Sequence, residues 1–352
     1  MRAINLLLAG LLMLAWGATA SAEKSRDAVN GVIPACGWTT KVARPNDDLM
    51  YTLQEKKRRG CIIEVKALHP TQSAVGMLAA ACKSARVSSE AAAGNLQDYL
   101  LKDNRWVPVV RGPGGVFYLT DHHHLAVAVW NATIEDQDKK VYAYLLDDWS
   151  ALKESVFWER MKNAHRAWLF NRAGQSIPPS ALPNEVGKLQ DDPLRTLSAW
   201  VRENCGYVKC DPPGAAKSDD GQSCADRSCE EKFGSKKLPC ANAYFIEFAW
   251  GAFLGSDEAA IPEVKAALDA ACSQQNPMNQ QCLDTQYDKL LKVLPAAMQA
   301  TAALEAKTWV EGKASDQTAG KGKKGSTTTS VGHNPKVQQP LLPPKCSIGD
   351  AQ

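Results

Sequence analysis

The sequence predicts an α+β protein: a small mixed sheet with helices, followed by a mostly helical C-terminal part and a disordered tail. Three observations carry that reading. Runs rich in β-branched and aromatic residues recur at 61–66, 107–111, 116–119 and 140–146, with helical periodicity between them. From 151 to 310 the period is almost wholly helical, interrupted by a Cys-rich stretch at 205–240. From 311 to 352 Gly, Lys, Ser, Thr, Pro and Gln replace the apolar residues, leaving too little to bury for a fold.

The elements follow in chain order. Residues 1–22 have the organisation of an export signal: Arg2 supplies the positive start, 6–15 the apolar run, and Ala20, Ser21 and Ala22 the small-residue cleavage site. That run is too short to span a bilayer comfortably and no later stretch would do so, hence no transmembrane segment is expected. The expected location is periplasmic or secreted. Residues 23–150 form the expected core. Within it Lys56, Lys57, Arg58 and Arg59 read as a solvated turn before the first strand. Thr71 is placed to cap a helix carrying Val75, Leu78 and Cys82 on one face, with Lys83 beside it. A second helix is expected over about 88–101.

Residues 151–310 form the expected helical region. Phe157, Trp158, Met161 and His165 share one side of its first helix, and Pro178, Pro179 and Pro183 mark a loop. Pro193 suits the first turn of a helix running through Trp200 and Val201. Further helices are expected at 244–254, 262–274 and 284–310, the last kinked at Pro295.

Composition bounds the function loosely. A formal net charge of +3 argues neither for nor against a polyanionic partner. The 11 cysteines fit an oxidising compartment. Cys205, Cys210, Cys224, Cys229 and Cys240 crowd together without a Cys-x-x-Cys or a histidine, which favours disulfides over a zinc site. Cys272 and Cys282 flank a loop that they would staple, and Cys36 and Cys61 form a second candidate pair. The odd total leaves a thiol over, with Cys346 of the tail the candidate. A disulfide-held insertion is also a surface for a protein partner.

The stretch from 107 to 130 carries the most chemistry. A strand ends at Arg111, and Gly112, Pro113, Gly114 and Gly115 make a turn. A second strand then runs into Thr120, Asp121, His122, His123 and His124, which open a helix marked by Leu125, Ala128 and Val129. A helix start presents unpaired amides where an anion can sit, and three imidazoles there titrate near neutral pH. Consecutive helical residues project about 100° apart, so the three rings cannot converge on one ion. One or two of the three are expected to face a ligand, as general acid or base. Asp121 either caps the helix or acts as base or metal ligand. Gly114 and Gly115 serve the turn or cradle a phosphate, although neither Gly-x-x-x-x-Gly-Lys nor Gly-x-Gly-x-x-Gly occurs. Further along, Asp191, Asp192 and Arg195 read as a charged helix start, and Glu247 as a carboxylate bonded to Arg195 or Arg202.

Several of these motifs stand in an order that resembles the ParB-like nuclease family of the ParB/sulfiredoxin superfamily. They are Leu68 to Gln72 with Val75 and Gly76, Val107 to Gly115, Tyr118 to His124, Phe157 with Trp158, Asp191 to Leu197, and Phe245 to Trp250. The resemblance covers about residues 60–254. It implies a small α+β fold that holds a phosphate-bearing ligand at the start of one helix, through a loop resembling Asp-Gly-His-His-Arg-x-x-Ala. Asp121, His123, His124 and Ala128 match that loop, whereas His122 stands at the glycine and Leu125 at the arginine. Arg111 or Lys83 would then supply the missing cation, Lys83 occupying a place that resembles a basic nucleotide contact in sulfiredoxins.

The site so implied has His123, His124 and Asp121 as catalytic groups, and Arg111, Gly114, Gly115, Lys83, Thr71, Gln72 and His122 as ligand-binding groups. No metal ligands are assigned; a divalent metal is the cofactor compatible with the reading. The function implied is an exported ParB-like protein that binds a phosphate-bearing ligand or nucleic acid and hydrolyses a phosphodiester. The alternative is a non-catalytic, disulfide-stabilised binding or interaction protein. Phosphotransfer from ATP ranks last, because an exported protein would not meet abundant ATP.

Overall fold

The computed structural model describes residues 33, 35–36, 51–53, 58–209, 240–241, 245–301 and 310. The expected signal at 1–22, Lys56 and Lys57, most of the 205–240 insertion, the 311–352 tail and Cys346 lie outside the described residues.

The main strands are β1 (Tyr51–Leu53), β2 (Arg58–Glu64), β3 (Leu68–Pro70), β5 (Val107–Arg111), β6 (Phe117–Leu119) and β7 (Lys140–Asp148). They form one mixed sheet in the order β1-β2-β7-β5-β6-β3. The β5–β6 pair is antiparallel because only a tight turn joins it, with Gly114 at φ 71° in the left-handed region that glycine favours. The chain returns as β7 parallel to β5, after crossing over through a helix. A central position with both faces covered explains why every residue of β5 is buried, and why it reads as an unbroken apolar run apart from Arg111. Between these, β4 (Ala74–Val75) pairs in parallel with β8 (Gln190–Asp191), and β9 (Val208–Lys209) with β10 (Cys240–Ala241).

Helices α1 (Met77–Ala92) and α3 (His123–Asn131) pack against each other, with α2 (Leu96–Leu101) beside them. Their apolar faces and the sheet share one core, in which Leu68, Val107, Leu119, Ala126, Val129 and Val141 are fully covered. A smaller cluster joins Val110 to Phe157 and Met161 of α4 (Glu154–Asn163). The C-terminal part is helical: α5 (Pro193–Glu203), α6 (Ile246–Leu254), α7 (Val264–Leu268) and α8 (Gln280–Thr301) close around Leu197, Trp250, Leu254 and Leu290. Pro193 does open α5, and Pro295 lies inside α8. No helix among the described residues is long and apolar enough to cross a membrane.

The disulfides Cys36–Cys61 and Cys272–Cys282 form as expected, and Cys82 and Cys205 are also disulfide-bonded. Three local expectations are corrected. Arg58 and Arg59 begin β2 rather than belonging to a turn. Thr71 caps no helix, because α1 starts only at Met77 and Thr71 is engaged elsewhere. The break between helices falls not before Ser88 but after Ala92, where Gly94 at φ 74° ends the run.

Candidate functional site

The site is built where β6 ends and α3 begins. Thr120, which is buried, donates its side-chain hydroxyl to the Pro108 carbonyl at 3.2 Å and so ties the strand end to β5. Asp121 is exposed and accepts the His122 amide at 2.6 Å. It therefore does not cap α3: the residue before the helix is His122, and no side chain caps the first turn. His122 adopts φ 61°, ψ 26°, a left-handed conformation that residues with a Cβ take uncommonly, Asn, Asp and His more often than the rest, and that glycine takes freely. That explains why a glycine stands at this place in the resembled loop.

The next two rings turn inward. His123 is buried, and its Nε2 accepts the Thr71 amide at 3.3 Å while the ring also bonds the Leu119 carbonyl. The Thr71 hydroxyl donates to the same carbonyl at 2.8 Å. The Nε2 of His124 accepts the Gly76 amide at 3.3 Å. Both rings thus hold the 71–76 segment against α3, and an acceptor Nε2 carries no proton. Burial drives the His123 pKa down from its usual 6.5 to about 3. Burial also takes His124 well below 6.5, assisted by the positive charges of Arg195 and Lys83.

Those two cations mark the electrostatics of the corner. Lys83 is exposed on α1. Arg195 comes from α5, stacked over the Phe248 ring with 5.3 Å from guanidinium to centroid. One of its terminal nitrogens lies 3.5 Å from Glu247, which also accepts from Arg202 at 2.5 Å. Glu247 thus bonds both arginines that the sequence offered as alternatives. Gln72 is buried and spends its side-chain amide on the Ala74 carbonyl at 2.7 Å. The β4 segment is drawn toward α5 at Gly76, where a Cβ would come within 2.4 Å of the Thr196 hydroxyl.

The expected constellation is therefore divided. Thr71, Gln72, Lys83, Asp121, His122, His123 and His124 belong to one corner. Arg111, Gly114 and Gly115 do not: they sit at the turn end of the β5–β6 hairpin, whereas Asp121 leaves its open end. Asp121 lies four residue steps beyond Phe117, the partner of Arg111, roughly 13 Å at about 3.3 Å per residue. Arg111 is buried there and pairs with Asp148 at 3.4 Å. The cation that sequence reasoning did not bring to the corner is Arg195. Its only signal was membership of the Asp191–Leu197 motif. Among the described residues no group of three or more His, Cys, Asp or Glu could hold a metal ion.

Residues 61–214 match the model of the family described as "Putative ParB-like nuclease". Over these residues the chain is similar to ParB-like nuclease domains. Most of the sheet, from Cys61 of β2 onward, and the histidine corner fall inside the matched segment; β1, Glu247 and the α6–α8 helices fall outside it. Among solved structures, the chain is similar to protein Atu1540 from Agrobacterium tumefaciens, with 24% sequence identity. The likeness covers 71% of this chain and 95% of that one, with a TM-score of 0.44. No curated protein matches the chain.

Proposed function

We propose that the ParB-like domain acts as a nuclease-like module that binds a phosphodiester at the start of α3. The observation that carries this reading is the start of α3, where no His122 side-chain bond caps the first turn and where Arg195, with Glu247 as its counter-charge, and Lys83 are the neighbouring cations. Arg195 would supply the forked guanidinium that Leu125 lacks in the resembled loop, and Lys83 a second charge from α1. His123 and His124 would be positioning residues, because each gives its Nε2 to a backbone amide. Proton handling would fall to Asp121 and His122, the more open titratable groups of the corner.

Purified protein with a labelled single-stranded oligonucleotide, with and without Mg²⁺ or Mn²⁺, tests this. Saturable binding that weakens with salt and about tenfold in Lys83→Ala is expected, with cleavage lost in Asp121→Asn while binding remains. Absence of saturable binding at low ionic strength would overturn the reading. A second reading, binding without turnover, is favoured by the occupied acceptor atoms of His123 and His124. Binding without cleavage under either metal would select it.

We also propose that the protein is exported. The 1–22 pattern and the disulfides support this. Shortening of the chain by the first 22 residues during secretion is the expected result, and an uncut, cytoplasmic chain the contrary one.

A further inference from the structure

Cys82 stands half-buried on α1, with the exposed Lys83 as its neighbour, and it is disulfide-bonded. The chain has 11 cysteines, and Cys36–Cys61 and Cys272–Cys282 account for four of them. Six remain as partners for Cys82: Cys205, Cys210, Cys224, Cys229 and Cys240 of the 205–240 stretch, and Cys346.

Packing favours the stretch over the tail. Leu78, four residues before Cys82 and on the same face of α1, packs against the C-terminal cluster that contains Leu197, Val201 and Tyr207. Gly76 abuts Thr196, so α5 starts beside α1. That helix ends at Glu203, and Cys205, two residues on, is itself disulfide-bonded. Tyr207 is fully buried in the same cluster, with its hydroxyl 2.6 Å from that of Ser198. The backbone of Cys240 pairs with Val208, so the stretch leaves and returns at one place, next to the core that Leu78 shares.

Chain length argues the same way. Cys210, Cys224, Cys229 and Cys240 each lie within 15 residues of the paired strands β9 and β10, whereas Cys346 lies 36 residues beyond the buried Val310. Each doubling of a free length makes a given encounter about threefold rarer.

We infer that a disulfide moors the 205–240 stretch to α1 through Cys82, making the outer face of that helix, with Cys82, Ala85 and Ser89, its docking surface. The bond forms by thiol–disulfide exchange: the Cys82 thiolate attacks a disulfide oxidant, and a thiolate of the stretch then takes the Cys82 sulfur. Two protons and two electrons leave the cysteines, and the oxidant departs as a dithiol. The mooring holds whatever the histidine corner binds, and it fixes the stretch beside Lys83.

Tryptic mapping of the oxidised full-length protein, alkylated without reduction, tests the proposal. Cleavage after Lys66 and Lys83 isolates Cys82 in the 67–83 peptide, and each of the six candidate partners falls on a peptide of its own. The 67–83 peptide should appear joined to one carrying Cys205, Cys210, Cys224, Cys229 or Cys240. Linkage to the 346–352 peptide, or recovery of an alkylated 67–83 peptide, would overturn the proposal. Under brief trypsin treatment of the native protein, Cys82→Ser with wild-type circular dichroism should be nicked after Lys217, Arg227 or Lys232 about tenfold faster. Cys346→Ser should be cut at the wild-type rate. An unchanged rate in Cys82→Ser would show that the bond holds nothing in place, and would sink the mooring.

Discussion

The Asp191 carboxylate accepts the Met77 amide at 3.0 Å, so that the first turn of α1 is capped by a residue 114 positions away in the chain. Its other oxygen accepts the Cys272 amide at 2.8 Å and the Gln286 side-chain amide. Burial raises the Asp191 pKa, while these hydrogen bonds pull it the other way. One buried carboxylate therefore joins α1, the Cys272 loop and α8. Asp191→Asn replaces one accepting oxygen by a donor that faces donors, and should cost about 2 kcal/mol or more. Urea unfolding monitored by tryptophan fluorescence measures it; an unchanged midpoint would show that the cap is dispensable.

The Cys272–Cys282 bridge closes a loop of sequence separation 10 immediately beside that carboxylate. Chain entropy assigns such a closure about 3 kcal/mol. A Cys272→Ser, Cys282→Ser double variant should lose stability by about that amount. Combined with Asp191→Asn it should lose less than the sum, since both changes loosen the same loop. Strict additivity in a double-mutant cycle would contradict the linkage.

His122 carries a left-handed backbone at φ 61° ahead of α3. For a residue with a Cβ that conformation costs about 1–2 kcal/mol, part of which glycine forfeits through its freer unfolded chain. His122→Gly should therefore raise stability, by about 0.5–1 kcal/mol, and a thermal melt should move upward. If proton handling depends on His122, the same variant should cleave oligonucleotide more slowly while melting later.

The two inward rings set a pH dependence with a definite sign. His123 and His124 have folded pKa values below the usual 6.5, so the unfolded chain takes up more protons as pH falls through that value. Their contribution is complete above pH 6.5 and declines on acidification, by about 1.4 kcal/mol per pH unit and per ring. His69 and His165 are shifted by burial in the same direction. Asp192 works against them: burial raises its pKa from 3.8 to about 6, so the folded state takes up the extra proton between those values. Asp192→Asn keeps an N-cap for α5 but removes that opposing uptake. Its stability should fall more steeply than the wild type's from pH 6 to pH 4. Parallel curves would refute the assignment.

Much of the sheet was legible because its strands are β-branched runs bounded by turns: 107–111 and 117–119 are framed by Gly112 to Gly115, and 140–148 ends before a helical pattern. Pro193 announced α5 for the same local reason. The start of α1 was hidden because its cap arrives from Asp191, which no local signal at Thr71 reveals. Arg111 could have been placed correctly, since a hairpin sends the residue before its turn away from the residue that follows its second strand. Arg195 could not, because its approach to His124 depends on how α5 packs beside α1. The inward turn of His123 and His124 was equally illegible: helical spacing separates the rings but does not say which of them find buried amides.

The family match ends at residue 214, yet two of the three donors that satisfy Asp191 lie beyond it, at Cys272 and Gln286. Excising 61–214 on the strength of homology would strand a desolvated anion at the root of α1 and strip the apolar cover that Leu283 lends the sheet core. The recognisable module and the autonomous folding unit are thus different lengths of chain. Truncations meant to dissect this molecule should run through α8, where the last of those supports is anchored.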